Sequence, residues 1–241
     1  MPKLKALADC RLYTFVDTGY LAGRDPEEVG RALCEGGADL LQLRAKGWPP
    51  EQVRPIAERL QSIAEAAGVW FVVNDHPELA AAVGAPLCHL GQEDFFGAGY
   101  SHVTQVPWGA AAGAEGAERV RWASEAAGVR ESSRPEIGLS THAPLQAQRA
   151  VAAGAAYVAV GPVYATPTKP GRPAVTLDYV RWAAAHLQAP WFAIGGITLE
   201  NLDGVLGAGA RRVCVVGAIL GASDVAQACS AFKRHLLSVP I

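Results

Sequence analysis

Two stretches in the last third of the chain decide the fold: Phe192-Ala193-Ile194-Gly195-Gly196-Ile197 and Val213-Cys214-Val215-Val216-Gly217-Ala218-Ile219. Each is a short apolar run that reaches glycine and leads into a helical pattern. Glycine lets a backbone N–H come close to an oxyanion, and a helix N-terminus adds a favourable dipole. In a (β/α)8 barrel, the loops after the seventh and eighth strands form the common phosphate site. The pair therefore predicts a TIM barrel that holds a phosphorylated small molecule.

Reading backwards from that pair, short β-like runs alternate with helical patterns. Strands are expected at 12–16, 40–44, 69–73, 88–90, 136–140, 157–160, 191–194 and 212–216. Helices are expected after Asp25-Pro26, over 50–67 and 77–83, up to about 153, over 177–187, after a Thr198 cap, and over 224–237. Aspartate before proline is a strong helix start. Eight alternations favour a closed parallel barrel over an open sheet. One domain, 1–241, is expected, with an insertion or lid within 95–135 that contains a helix at 118–127. A surface insertion with no part in the chemistry is the other reading of that tract.

The composition narrows the function. The 241 residues are half apolar and carry a net charge of −2. That balance speaks against a nucleic-acid partner gripped by a broad basic face. Five cysteines without a CxxC pair suggest no disulfide framework, and Cys88 and Cys214 read as buried thiols. No leader pattern and no membrane-spanning run are visible, so a soluble cytoplasmic protein is expected, with no membrane partner and a homo-oligomer left open.

Residues able to do chemistry cluster at the expected strand ends. Gln42-Leu43-Arg44-Ala45-Lys46 ends strand two, and alternation puts Gln42, Arg44 and Lys46 on one side. Arginine offers a fork to phosphate oxygens and lysine a point charge; a solvated basic loop explains them equally. Asn74-Asp75 and Gln92-Glu93-Asp94 follow strands three and four, so Asp75 and Asp94 can converge on one magnesium ion. Taken alone, Asn74-Asp75 is more simply a helix N-cap before Pro77. After strand five, Ser140 can donate to a phosphate, while His142 is open between acid–base work and packing. His89, inside an apolar run, reads as structural. Gly161 to Gly171, which carries Thr166, Thr168 and Lys169, has the composition of an anion clamp.

In order, the segments Gln42–Lys46, Asn74-Asp75, His89–Asp94, Gly138–His142, Gly161–Lys169, Ala193–Ile197 and Val215–Ile219 resemble thiamine phosphate synthase. The resemblance implies a magnesium-dependent transferase that joins hydroxymethylpyrimidine diphosphate to hydroxyethylthiazole phosphate, giving thiamine phosphate and pyrophosphate. It implies that Arg44, Lys46, Asn74, Ser140 and Lys169 hold the diphosphate, with Arg44, Lys46, Ser140 and Lys169 acting in catalysis. Asp75 and Asp94 would bind magnesium, and Gln42 would meet the pyrimidine. Thr166, Thr168, Gly195, Gly196 and the Val216-Gly217 backbone would surround the thiazole phosphate. Gly217 departs from the family, which usually has serine there. Two alternatives are a thiazole tautomerase using His142 and a non-catalytic phosphate-ligand barrel. Retention of the diphosphate and metal residues favours the synthase.

Overall fold

A computed structural model describes residues 2–108, 134–166 and 174–239. Eight parallel strands close into a barrel in sequence order, β1 to β8. They are β1 Leu12–Asp17, β2 Leu40–Arg44, β3 Trp70–Asn74, β4 Leu87–Gly91, β5 Glu136–Thr141, β6 Tyr157–Val160, β7 Trp191–Ile194 and β8 Val213–Cys214. The helices are α1 Pro26–Glu35, α2 Pro50–Ala67, α3 Pro77–Ala82, α4 Gln92–Gly97, α5 Pro144–Ala152, α6 Thr176–His186, α7 Leu202–Gly207, α8 Gly217–Leu220 and α9 Val225–Leu237. The (β/α)8 expectation is met.

Strand alternation divides the apolar residues into two cores. Tyr13, Phe15, Val72, Tyr157, Phe192 and Cys214 point inward and fill the barrel. Their sequence neighbours, among them Leu12, Val16, Leu43, Phe71, Val73 and Val158, point outward and pack beneath the helices. The helices start where the local chemistry dictates. Asp25 accepts from Glu27 N–H at 2.7 Å and Glu28 N–H at 3.2 Å, ahead of Pro26. Asp224 accepts from Gln227 N–H at 2.9 Å to open α9.

Asp39 ties the bottom of the barrel together. Its carboxylate accepts from Lys5 Nζ at 2.7 Å, from Arg11 N at 2.8 Å, from Leu12 N at 3.0 Å and from Lys233 Nζ. Arg11 Nη1 in turn donates to Leu236 O at 2.9 Å and Val239 O at 2.8 Å, which satisfies carbonyls at the end of α9.

Three boundaries differ from expectation. The regular pattern continues past 95, because α4 runs to Gly97 and buries Phe95 against Phe96 and Tyr100. The helix expected at 118–127 lies outside the described residues. Strand eight shortens to Val213–Cys214, because Val216 turns to φ −115°, ψ −81° and caps α8. Thr198 is not a helix cap: α7 begins only at Leu202, and Asn201 occupies the cap position.

Candidate active site

The strand ends at the C-terminal rim carry nearly every predicted residue, and they fall into two sectors. The β5–β8 sector surrounds a cavity of about 560 Å³, within the range of small-molecule sites. Ser140, His142, Thr166, Gly195, Gly196, Val216 and Gly217 line it. Thr168 and Lys169 lie outside the described residues.

The glycine loops are shaped by close approach. Gly195 and Gly196 have φ of 107° and 63°, which disfavours any side chain. A Cβ on Gly195 would come within 2.4 Å of Pro162, and one on Gly196 within 2.7 Å of Tyr164. Asn201 braces this loop, donating from Nδ2 to Gly196 O at 2.9 Å and accepting from Thr198 N–H at 2.9 Å. Gly217 is different. It is exposed, and a Cβ there would meet only Tyr20, at 3.4 Å. Tyr20 and Thr198 also line the cavity and Asn201 braces its wall, and none of the three is a site residue in the sequence reading. The only available signal was their place just after β1 and just after the Gly195-Gly196 turn.

His142 sits on the cavity wall. Its ring Nδ1 lies 2.5 Å from Gly161 O, and its backbone N–H donates to Gln146 Oε1 at 2.7 Å. A carbonyl can only accept, so Nδ1 carries a proton, and in the neutral ring Nε2 is the acceptor nitrogen.

The β2–β4 sector holds the other predicted set. Gln42 and Arg44 do share the inner side. Arg44 Nη1 donates to Asp17 Oδ2 at 2.6 Å, and that Asp17 side chain is 1% exposed. Asp17 also accepts from Gly19 N–H at 3.0 Å, so the β1 turn and the β2 cation are held by one carboxylate. Lys46 is exposed beyond Arg44. Asn74 ends β3, half-buried, with Asp75 exposed beside it.

Asp75 is not a helix cap; His76 takes that position for α3. Its φ is 63°, and its N–H donates to His89 O at 2.9 Å, which clips the end of β3 to β4. Asp94 lies in the first turn of α4, with Oδ2 only 2.5 Å from where a Cβ on Gly91 would stand. Among the described residues neither carboxylate is engaged in an ion pair. Nor do three or more acidic, histidine or cysteine side chains gather into a metal cluster. Two uncommitted carboxylates suit magnesium, which takes one or two and completes its shell with water and phosphate oxygens.

Between the sectors, His89 Nε2 lies 2.8 Å from Ser140 Oγ, and His89 Nδ1 lies 3.1 Å from the Tyr157 hydroxyl. The cysteines are chemically quiet. Burial pushes the thiols of Cys88 and Cys214 up, so neither is a thiolate near neutral pH.

A closed barrel with a glycine-lined cavity of small-molecule size at its C-terminal rim defines a (β/α)8 protein with an enzyme-like site. A family model described as thiamine monophosphate synthase matches residues 12–100 and 111–219. The chain is 44% identical over 232 residues to a thiamine-phosphate synthase of Thermus thermophilus, covering 95% of this chain and 98% of that one. It is 41% identical over 233 residues to a thiamine-phosphate synthase of Acidothermus cellulolyticus, covering 96% and 97%. A solved thiamine phosphate pyrophosphorylase from Pyrococcus furiosus superposes with a TM-score of 0.73 at 25% identity, covering 96% of this chain and 98% of that one. The chain belongs to the thiamine monophosphate synthase family and is a transferase. No helix among the described residues is long and apolar enough to cross a membrane.

Proposed function

We propose that this rim joins hydroxymethylpyrimidine diphosphate to hydroxyethylthiazole phosphate. The observation that carries the reading is the division of the rim: a glycine-lined cavity over β5–β8 beside the Gln42, Arg44, Asn74, Asp75 and Asp94 sector over β2–β4. The cavity takes the thiazole phosphate against Gly195, Gly196, Thr166, Val216 and Gly217. The second sector takes the pyrimidine diphosphate, with Gln42 toward the pyrimidine and Arg44, Lys46 and Asn74 toward the diphosphate, which Ser140 meets from the adjoining cavity wall. Thr168 and Lys169 are assigned to the thiazole phosphate and the diphosphate from the sequence resemblance.

The reaction breaks the bond between the pyrimidine methylene carbon and its diphosphate oxygen, and the electron pair leaves with pyrophosphate. The aminopyrimidine stabilises the cation left on the methylene, and the lone pair of the thiazole nitrogen then forms the new C–N bond. No protein nucleophile is required. The protein's work is alignment of two substrates and neutralisation of the leaving charge. Arg44, held in direction by Asp17, contributes one such charge. Asp75 and Asp94 would hold magnesium, which when bound neutralises charge on the diphosphate.

The test is to incubate the protein with both substrates and magnesium and to quantify thiamine phosphate and pyrophosphate. Equal amounts of the two products are expected. Binding of thiazole phosphate without pyrophosphate release would instead make the barrel a non-catalytic binder.

A further inference from the structure

The barrel interior holds a continuous chain of polar contacts that links the two sectors from below. Gln42 Nε2 donates to the Tyr13 hydroxyl at 2.5 Å, and the Tyr13 and Tyr157 hydroxyls are 2.8 Å apart. Tyr157 meets His89 Nδ1 at 3.1 Å, and His89 Nε2 meets Ser140 Oγ at 2.8 Å. Tyr13 and Tyr157 are 1% and 0% exposed. Tyr157 reaches this place because Gly138 leaves it room: a Cβ on Gly138 would stand 2.1 Å from the Tyr157 ring.

A buried hydroxyl proton left without an acceptor is costly. Tyr13 already accepts from Gln42, so if Tyr157 also donated to it, the Tyr13 proton would have no place in this chain. The proton of Tyr13 therefore goes to the Tyr157 oxygen, and the proton of Tyr157 goes to His89 Nδ1. An accepting Nδ1 makes His89 neutral with its proton on Nε2. That N–H donates to Ser140 Oγ, which turns the hydroxyl proton of Ser140 away from His89 and toward the cavity it lines. Burial pushes both phenols well up, consistent with each keeping its proton.

We propose that Tyr157 is a positioning residue: through His89 it sets Ser140 as a hydrogen-bond donor to substrate, and through Tyr13 it leaves the Gln42 carbonyl free to accept from one. This rests on the reading of Gln42 and Ser140 as substrate contacts. One chain of hydrogen bonds, all running the same way, thus orients a residue in each sector.

Nitrogen NMR of protein labelled at histidine tests the relay without turnover. The ligand-free wild type should show His89 as the neutral Nε2–H tautomer, and an Nδ1–H tautomer would overturn the proposal. Tyr157→Phe keeps the ring and removes the proton. It should lose the tautomer preference and lower kcat for thiamine phosphate formation about tenfold, with KM for the thiazole phosphate within about twofold. An unchanged kcat in a folded Tyr157→Phe would also overturn it, as would equal losses on both substrates' KM with kcat intact. A wild type that forms no thiamine phosphate would overturn only the functional reading, because the tautomer reports on the relay independently.

Discussion

Arg44 and Asp17 face each other across neighbouring strands, in register, with Nη1 2.6 Å from Oδ2. The carboxylate is buried and the guanidinium nearly so, so the pair fixes a cation at the rim that would otherwise swing into solvent.

Removing one partner of such a pair leaves the other charge buried and uncompensated. Asp17→Ala should lower the unfolding free energy by about 3–5 kcal/mol. It should also raise KM for the pyrimidine diphosphate, since Arg44 loses its direction. Denaturant unfolding and steady-state kinetics check the two halves of the prediction.

Asp75→Ala and Asp94→Ala should each demand more magnesium for half-maximal rate and lower kcat severely, by the order of 100-fold. Magnesium titrations of the rate are the measurement. Near-normal metal dependence in both variants would remove the shared-ion assignment.

Backbone shape predicts opposite outcomes at two glycines. Gly196→Ala forces a Cβ to within 2.8 Å of Ala165 O at a positive φ, so it should distort the loop and weaken thiazole phosphate binding. Gly217→Ser has room beside Tyr20 and should be tolerated, gaining roughly 0.5–1.5 kcal/mol of phosphate affinity if its hydroxyl reaches the anion. Calorimetry with hydroxyethylthiazole phosphate separates them.

Acid lability should trace to Asp39. Burial pushes its carboxyl up, but the Lys233 ammonium, with hydrogen bonds from Lys233, Lys5 and the Arg11 N–H, outweighs burial and holds it below the ordinary carboxylate range. A depressed folded pKa contributes stability that is present above the unfolded value of about 4 and is lost as pH falls through the folded one. Unfolding free energy should thus drop below about pH 4, and Asp39→Asn should flatten that drop while lowering stability at pH 7.

The barrel is legible in the sequence because each strand is a short apolar run set between helix signals, and β6 and β7 fall where the pattern puts them. The cavity glycines are legible because Gly195-Gly196 must adopt conformations that other residues avoid. Asp17 is not, since its partnership with Arg44 exists only once the register of β1 on β2 is set. The interior tyrosines are hidden for a related reason. In sequence Tyr13 and Tyr157 look like ordinary apolar strand positions, and only barrel closure brings their hydroxyls together 144 residues apart. His89 reads as structural from its apolar neighbours, yet its ring joins Ser140 to that chain. Asp75 resembles a helix cap from its place before Pro77, but its backbone instead holds β3 to β4.

The two substrates are assigned to different sectors of one rim. Calorimetric titration of Gly217→Leu with each substrate separately distinguishes the two sectors. The new side chain should fill the β5–β8 cavity and abolish measurable thiazole phosphate binding, while the dissociation constant for the pyrimidine diphosphate, with magnesium present, stays within about threefold of wild type. Normal thiazole phosphate binding with loss of the diphosphate would contradict that assignment.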